Sequence, residues 1–351
     1  MVYKMAIIGF GGMAKWHCTG ILPKSEGFRV KGAYDIRQEA CEQIAASGLQ
    51  LYKTPEEIYA DPEVDIVLIA TPNDTHKPYA IACLEVGKHV VCEKPVTLNT
   101  GELEEVYAVA KKAGKVFTVH QNRRWDADYL IIKHILDSKI LTGPYRIESR
   151  VQGSRQLLHG WRGHKINGGG MLYDWGIHLV DQMLLLIPSK LVMIDVHAHN
   201  VYTKEVDDNF ICMFRFENGL TYLLEVSNNC FVTQPRWHMC CEDGTAIIED
   251  WDCKGKIVKL KEDEAFEWGE EIVYTKAGPT RAMAPRPKAT TEEHPLPSAA
   301  RDKVTFFDNL HGVLEAKADL IVTQEQAIRL MKVIDMMLMS AEKRTAISCC
   351  I

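Results

Sequence analysis

Lys4-Met5-Ala6-Ile7-Ile8-Gly9-Phe10-Gly11-Gly12-Met13-Ala14 carries a short apolar run into a glycine turn of the form G-x-G-x-x-A, and a helical pattern follows over 14–22. Strand, glycine turn and helix in that order are the context in which this spacing binds a dinucleotide. Gly9 permits the tight turn and Gly11 lets the backbone approach a pyrophosphate. Phe10, Gly12 and Met13 complete the loop. The small Ala14 allows close helix–strand packing, and the helix N-terminus favours the phosphate charge. Asp35 ends a second expected strand (28–34), where a carboxylate is placed to hold ribose hydroxyls. Such a carboxylate opposes a 2′-phosphate, so NAD is the expected cofactor. NADP stays open, because Arg37 can offset that repulsion or stack on adenine.

The same alternation continues outward. Helical stretches are expected at 37–46, 76–85 and 101–113, and strands at 64–70, 89–92 and 116–119. The run 64–70 is apolar apart from Asp65, as befits a strand covered on both faces. Strand–helix alternation with short loops implies right-handed crossovers and a doubly wound parallel sheet. The fold class is α/β, with residues 1–121 as the dinucleotide-binding domain. Beyond them, a helix (128–136), a strand (145–151) and a helix (170–187) precede strand-like runs at 191–198, 210–216, 220–227, 236–241, 246–249, 257–260 and 271–274. Asn218-Gly219 marks a hairpin. Consecutive strands imply a mainly antiparallel sheet with helices on one face, so 122–351 is expected to be an α+β domain. The loop 278–297, with five prolines, is expected to be irregular. Helices at 302–314 and 323–344 close the chain, and the last is a candidate to pack back on the first domain.

Composition narrows the function classes. The 351 residues exceed what one core usually serves. A net charge of −6 without a basic block weighs against nucleic acid and anionic membranes as partners. No apolar run is long enough to span a bilayer, and the start lacks a signal-peptide layout, so a cytoplasmic protein is expected. The 11 cysteines include no C-x-x-C and read as reduced thiols. His159, His164, His197 and His199 tempt a metal reading, but His197-x-His199 offers two imidazoles on one strand face without a third ligand, and none is expected.

Two further groups carry chemistry. Glu93-Lys94-Pro95 follows the strand 89–92, and the carboxyl end of a parallel strand is where such sheets place ligands. In Gly168-Gly169-Gly170-Met171-Leu172-Tyr173-Asp174-Trp175-Gly176-Ile177-His178, the glycines allow close approach to a ligand, and Asp174 and His178 share a helix face. Oxidising an alcohol requires loss of its hydroxyl proton, which an imidazole accepts near working pH. Lys94 is placed to stabilise the alkoxide, and Asp174 to orient or modulate the imidazole. Spacing alone also fits a solvated ion pair.

The run 9–14, the Glu-Lys-Pro triplet and the block 168–178 together resemble the Gfo/Idh/MocA oxidoreductases, the relatives of glucose–fructose oxidoreductase and inositol 2-dehydrogenase. The resemblance spans nearly the whole chain. It implies a Rossmann domain followed by a large open sheet whose exposed face commonly builds homodimers, homotetramers or higher oligomers. Carried over by position, Lys94, Asp174 and His178 match the catalytic set, with His178 as proton acceptor and a cis Lys94–Pro95 bond. Thr71, Asn73 and His76 resemble the loop over the nicotinamide-side ribose. Trp161 and Arg162 resemble the pair reaching the nicotinamide end, and Gln121 to Arg124 the segment leaving the last Rossmann strand. Glu93, Lys94 and Gln121 thereby join the cofactor candidates. The substrate candidates are Lys94, Arg124, Trp125, Tyr173, Asp174, Trp175 and His178, with Trp175 standing where many relatives carry a smaller residue. The implied activity is NAD(P)-dependent oxidation of a sugar, a glycoside (a hexopyranoside C3 hydroxyl among the options) or a cyclitol such as inositol. Two alternatives remain: an NAD-retaining glycoside hydrolase that works by transient oxidation, and a dinucleotide-binding regulatory subunit.

Overall fold

The computed structural model describes residues 1–156, 158–261, 272–281, 288–299 and 304–351. Its first sheet is built from β1 (Tyr3–Ile8), β2 (Phe28–Tyr34), β3 (Gln50–Leu51), β4 (Ile66–Ile69), β5 (His89–Cys92) and β6 (Phe117–Val119). The order is β3-β2-β1-β4-β5-β6 and every pairing is parallel. That order reverses at β1/β4, the crevice where doubly wound sheets bind dinucleotides. Met5 to Ile8 and Ile66 to Ile69 are wholly buried, because helices cover both faces of these strands.

A second sheet combines β7 (Pro144–Gln152), β8 (Leu191–His199), β9 (Asn209–Phe216), β10 (Thr221–Ser227), β11 (Trp237–Cys241), β12 (Gly244–Ile248) and β13 (Gly255–Leu260). After the two-stranded hairpin of β14 (Ile272–Thr275) and β15 (Gly278–Arg281), β16 (Thr291–Pro295) and β17 (Ile347–Ser348) close its two edges. Pairing is antiparallel except between β7 and β10. Phe210, Cys212, Phe214 and Phe216 of β9 face the core while Ile211 and Met213 face outward, the period-2 pattern of a half-covered sheet. The helices Ile177–Leu186 and Gln324–Lys343 contribute to the covered side; the latter also docks on Thr100–Ala113, whose Thr100 N–H donates to Asp335 Oδ2 at 3.0 Å.

Several expectations need correction. The loop 278–297 is not wholly irregular, since it holds β15 and β16; Pro295 is tolerated because β16 is an edge strand. The strand β3 is only two residues long and the helix Pro55–Ala60 one and a half turns, too short for a periodicity reading. The expected helix 170–187 is instead a wide π-type turn at Leu172–Gly176 followed by α-helix Ile177–Leu186. The expected helix 14–22 begins at Gly12 and turns π-type from His17. Of the acidic stretch 261–271 only Lys261 is described, the strand expected from 271 is described from Ile272, and positions 302 and 303 of the expected helix 302–314 lie outside the described residues.

Candidate functional site

At the β1 turn, Gly9 has φ +92°, and a Cβ there would sit 2.7 Å from the Ala70 carbonyl oxygen. A Cβ on Gly11 or Gly12 would meet nothing within 4 Å. The loop is thus tight on its sheet side and open on the other, and no side chain caps the helix that begins at Gly12. Unsatisfied N–H groups beside an open backbone cradle fit a pyrophosphate. Asp35 accepts from the Phe10 N–H at 2.7 Å and from Arg37 through Nε (3.0 Å) and Nη2 (2.9 Å). Burial raises its pKa, but Arg37 and the backbone N–H groups outweigh this and hold the carboxyl below its ordinary range. A ribose therefore competes with the exposed Arg37 for an ionised acceptor. Asp35→Ala is expected to weaken NAD binding about 10- to 100-fold, the worth of charge-assisted hydrogen bonds, and to narrow any preference over NADP. Fluorescence titration with each dinucleotide checks it, and unchanged affinity would remove Asp35 from the site.

The Lys94–Pro95 bond is cis. Lys94 Nζ donates to Asp174 Oδ1 at 3.0 Å and to the Asp174 carbonyl at 2.9 Å. Arg162 Nε lies 3.5 Å from the same carboxylate oxygen, and its guanidinium stacks 4.5 Å from the Trp161 ring centroid. Burial raises the Asp174 pKa, but Lys94 and Arg162 prevail and keep it ionised. Asp174 therefore holds the lysine rather than the imidazole. The π-type turn Leu172–Gly176 interrupts the i,i+4 register assumed from spacing. His178 is buried, and its Nδ1 has no partner among the described residues. Burial, then the Lys94 and Arg123 cations, push its pKa well below the usual histidine value. The result is a neutral base with a free nitrogen in a region that carries an ammonium. Gln121 Oε1 and Gln182 Oε1 are further buried acceptors without partners among the described residues.

The glycine run has a packing reason. A Cβ on Gly169 would lie 2.2 Å from the Arg162 carbonyl oxygen, and one on Gly170 (φ +104°) 2.3 Å from Asp207 Oδ1. Asp207, which sequence reasoning missed, accepts from Leu172 N–H at 2.8 Å and fixes the start of the π-type turn. Burial pushes its pKa up to about 7.

Other expected site residues are held by contacts within the protein. Glu93 faces inward: its Oε1 accepts from His17 Nε2 (2.7 Å) and His120 Nδ1 (2.9 Å). Burial raises its pKa, but the two imidazoles hold it well below the carboxylate range. These three form the one set among the described residues with metal-ligand spacing. Their contacts are hydrogen bonds, shorter than the ~3.3 Å between donors held tetrahedrally around zinc. His76 is buried, with Nδ1 2.8 Å from the Pro95 carbonyl and Nε2 2.9 Å from that of Thr71, clamping two loops together. Asn73 Nδ2 donates to the Gly168 carbonyl at 2.7 Å. Tyr173 donates to the Leu98 carbonyl at 2.5 Å, and Trp125 Nε1 to that of Val304 at 2.9 Å. Arg124 is buried against Asp181, so it offers no guanidinium to a substrate. Its neighbour Arg123 instead stacks 4.1 Å from the Trp175 ring centroid. Trp251, half-exposed beyond β12, lies 5.9 Å from Trp175 and was not foreseen, since nothing local links it to the site. Of the tempting histidines, His164 lies 3.5 Å from Glu205 and His197 3.6 Å from Asp195, exposed pairs rather than ligand sets.

Residues 3–121 match the model of an oxidoreductase family described by its NAD-binding Rossmann fold, and 129–247 match the GFO/IDH/MocA C-terminal domain. A solved NAD-binding protein from Listeria innocua is similar over 99% of both chains, at 39% identity and a TM-score of 0.95. The uncharacterized oxidoreductase YdgJ of Escherichia coli (strain K12) is 42% identical over 184 residues, 52% of this chain and 53% of that protein; the match thus spans about half of its length. The scyllo-inositol 2-dehydrogenase (NADP(+)) IolW of Bacillus subtilis (strain 168) is 26% identical over 97% of this chain and 95% of that protein.

Proposed function

Because the chain belongs to the Gfo/Idh/MocA family of NAD(P)-dependent oxidoreductases, we propose that it dehydrogenates a ring hydroxyl of a sugar, glycoside or cyclitol, with a hexopyranoside C3 hydroxyl as the leading candidate. The observation that carries this is His178: a buried, neutral imidazole whose Nδ1 is unpartnered, with the Lys94 ammonium among the charges that act on it. Nicotinamide, when bound, accepts the hydride that leaves the carbinol carbon. His178 takes the hydroxyl proton, and Lys94 donates a hydrogen bond to the oxygen as its charge grows. Asp174 keeps Lys94 in place and Arg162 keeps Asp174 ionised. Gln121 Oε1 and Gln182 Oε1, buried and without a partner among the described residues, are acceptors of the kind that ligand hydroxyls or ordered water satisfy.

In this reading residues 1–121 hold NAD and 122–351 hold the substrate. Asp35 favours NAD and Arg37 moderates that preference, which is pertinent because IolW bears NADP(+) in its name. The outward face of the second sheet, with Tyr145, Ile211 and Met213 exposed, is the surface through which we expect a homo-oligomer to form. No helix among the described residues is long and apolar enough to cross a membrane.

A panel of hexoses, methyl and phenyl glycosides and inositols, each incubated with NAD and then NADP, is expected to yield reduced cofactor with at least one member. Release of aglycone without net reduced cofactor would assign the hydrolase mechanism instead. Absence of turnover and aglycone release across the panel would overturn both.

A further inference from the structure

Strands β7 and β10 run parallel and end side by side, Val151 opposite Val226 and Gln152 opposite Ser227. Their ends border, with the π-type turn that leads into the helix Ile177–Leu186, a half-open pocket of 180 Å³ whose walls include Val151, Gln152, Met171, Trp175, Val226 and Asn228. It shares Trp175 with the site described above but is lined by none of Lys94, Asp174 and His178. The Trp175 ring centroid lies 6.0 Å from that of His178, so the pocket adjoins the reacting position without occupying it.

Its chemistry is selective. Arg123 stacks on Trp175 and fixes the ring, whose half-buried remainder lines the pocket. Val151, Val226 and Met171 add apolar wall. The Gln152 amide is already engaged, donating to Glu225 Oε1 at 2.7 Å and accepting from the Gln234 N–H at 2.7 Å. Asn228 differs: its Nδ2 is buried and has no partner among the described residues. A buried donor without an acceptor is costly unless a ligand or an ordered water supplies one. Arg155 also borders the pocket and brings a cation to its rim. An aromatic wall, a few apolar side chains, a guanidinium and one unmatched amide donor suit the two faces of a sugar ring, which is apolar along its C–H bonds and hydroxylated at its edge. The volume, roughly that of six waters, is of the order of a single ring.

We propose that this pocket is a second subsite, which takes the neighbouring ring of a disaccharide while the first ring is dehydrogenated at His178. The inference rests on the sugar dehydrogenase reading above and narrows its substrate class to linked rings. Asn228 donates to a hydroxyl of the second ring and Trp175 packs against its C–H face.

The test compares maltose, cellobiose, lactose and trehalose with methyl and phenyl glucosides, by turnover with NAD and, independently of chemistry, by calorimetric titration of the NAD-loaded protein. At least one disaccharide is expected to exceed the methyl glucosides about five- to tenfold in affinity and in kcat/KM, the factor one hydrogen bond plus an aromatic contact supplies. Asn228→Leu is expected to collapse that ratio toward one. Methyl glucosides that bind and react as well as every disaccharide would overturn the subsite while leaving the dehydrogenase reading intact. A preference for phenyl glucosides over all disaccharides would replace the second sugar by an aryl group. Disaccharide binding that Asn228→Leu weakens, with no oxidation of any sugar, would keep the subsite and remove the dehydrogenase reading. No disaccharide binding at all would remove the subsite whatever the turnover.

Discussion

His178→Ala is expected to lower kcat by roughly 10²- to 10⁴-fold, the usual cost of losing a general base, while the Kd for NAD stays within about twofold. The separation follows from placement: His178 lies on the helix Ile177–Leu186, whereas the pyrophosphate cradle and Asp35 belong to the first sheet. The pH profile carries the same argument. Burial, reinforced by Lys94 and Arg123, disfavours the imidazolium, so the folded-state pKa lies below the ordinary 6.5. A base with a lowered pKa is already deprotonated at neutral pH, so the acid limb of kcat/KM that belongs to it falls below 6.5. Conversion to alanine should remove that limb as well as the rate. Stopped-flow and steady-state assays between pH 5 and 9 read both. Full activity in His178→Ala, or a wild-type limb at or above 6.5 that vanishes with the side chain, would contradict the role.

What could be read from the chain was what local pattern and buried strands encode. The strands at 28–34 and 89–92 and the helix at 76–85 are found with the expected boundaries, because each is bracketed by turn residues and buried by its neighbours. Lys94, Asp174 and His178 were legible as motif positions, and the structure draws Lys94 and Asp174 into hydrogen-bond contact. Their division of labour was not legible, since a π-type turn is invisible to a 3.6-residue period and shifts Asp174 from the imidazole to the lysine. Neither was the setting of Glu93: His17 and His120 reach it from positions 76 and 27 residues away. Trp251 and Asp207 belong to loops of the second sheet, and only tertiary packing brings them to the catalytic helix. Adjacent arginines posed the same difficulty. Nothing in Arg123-Arg124 says which side chain turns toward the site, and the structure turns Arg123 there and buries Arg124.

That last distinction yields a large and separable effect. Arg124 meets Asp181 in a two-pronged contact, Nε to Oδ2 and Nη2 to Oδ1, each at 2.7 Å, with both residues buried. Its remaining nitrogen, Nη1, donates to the Ile321 carbonyl at 2.9 Å and to Gln326 Oε1 at 2.8 Å, tying the loop before the last helix to the catalytic helix. Removing the guanidinium leaves the Asp181 carboxylate buried and unpaired, a loss of about 3–5 kcal/mol for a pair of this kind. Against a total stability of roughly 5–15 kcal/mol, Arg124→Ala should shift the denaturation midpoint sharply. A compensating pair of apolar replacements, Arg124→Met with Asp181→Leu, should recover much of the loss, because most of it is the stranded charge rather than the attraction removed. Substrate KM, measured on the fraction that remains folded, should stay near wild type. Urea melts and kinetics on the single and double variants decide between framework and ligand contact. An Arg124→Ala protein of normal stability with a strongly raised KM would return Arg124 to the substrate site, and with it the resemblance-based assignment that the buried contact argues against.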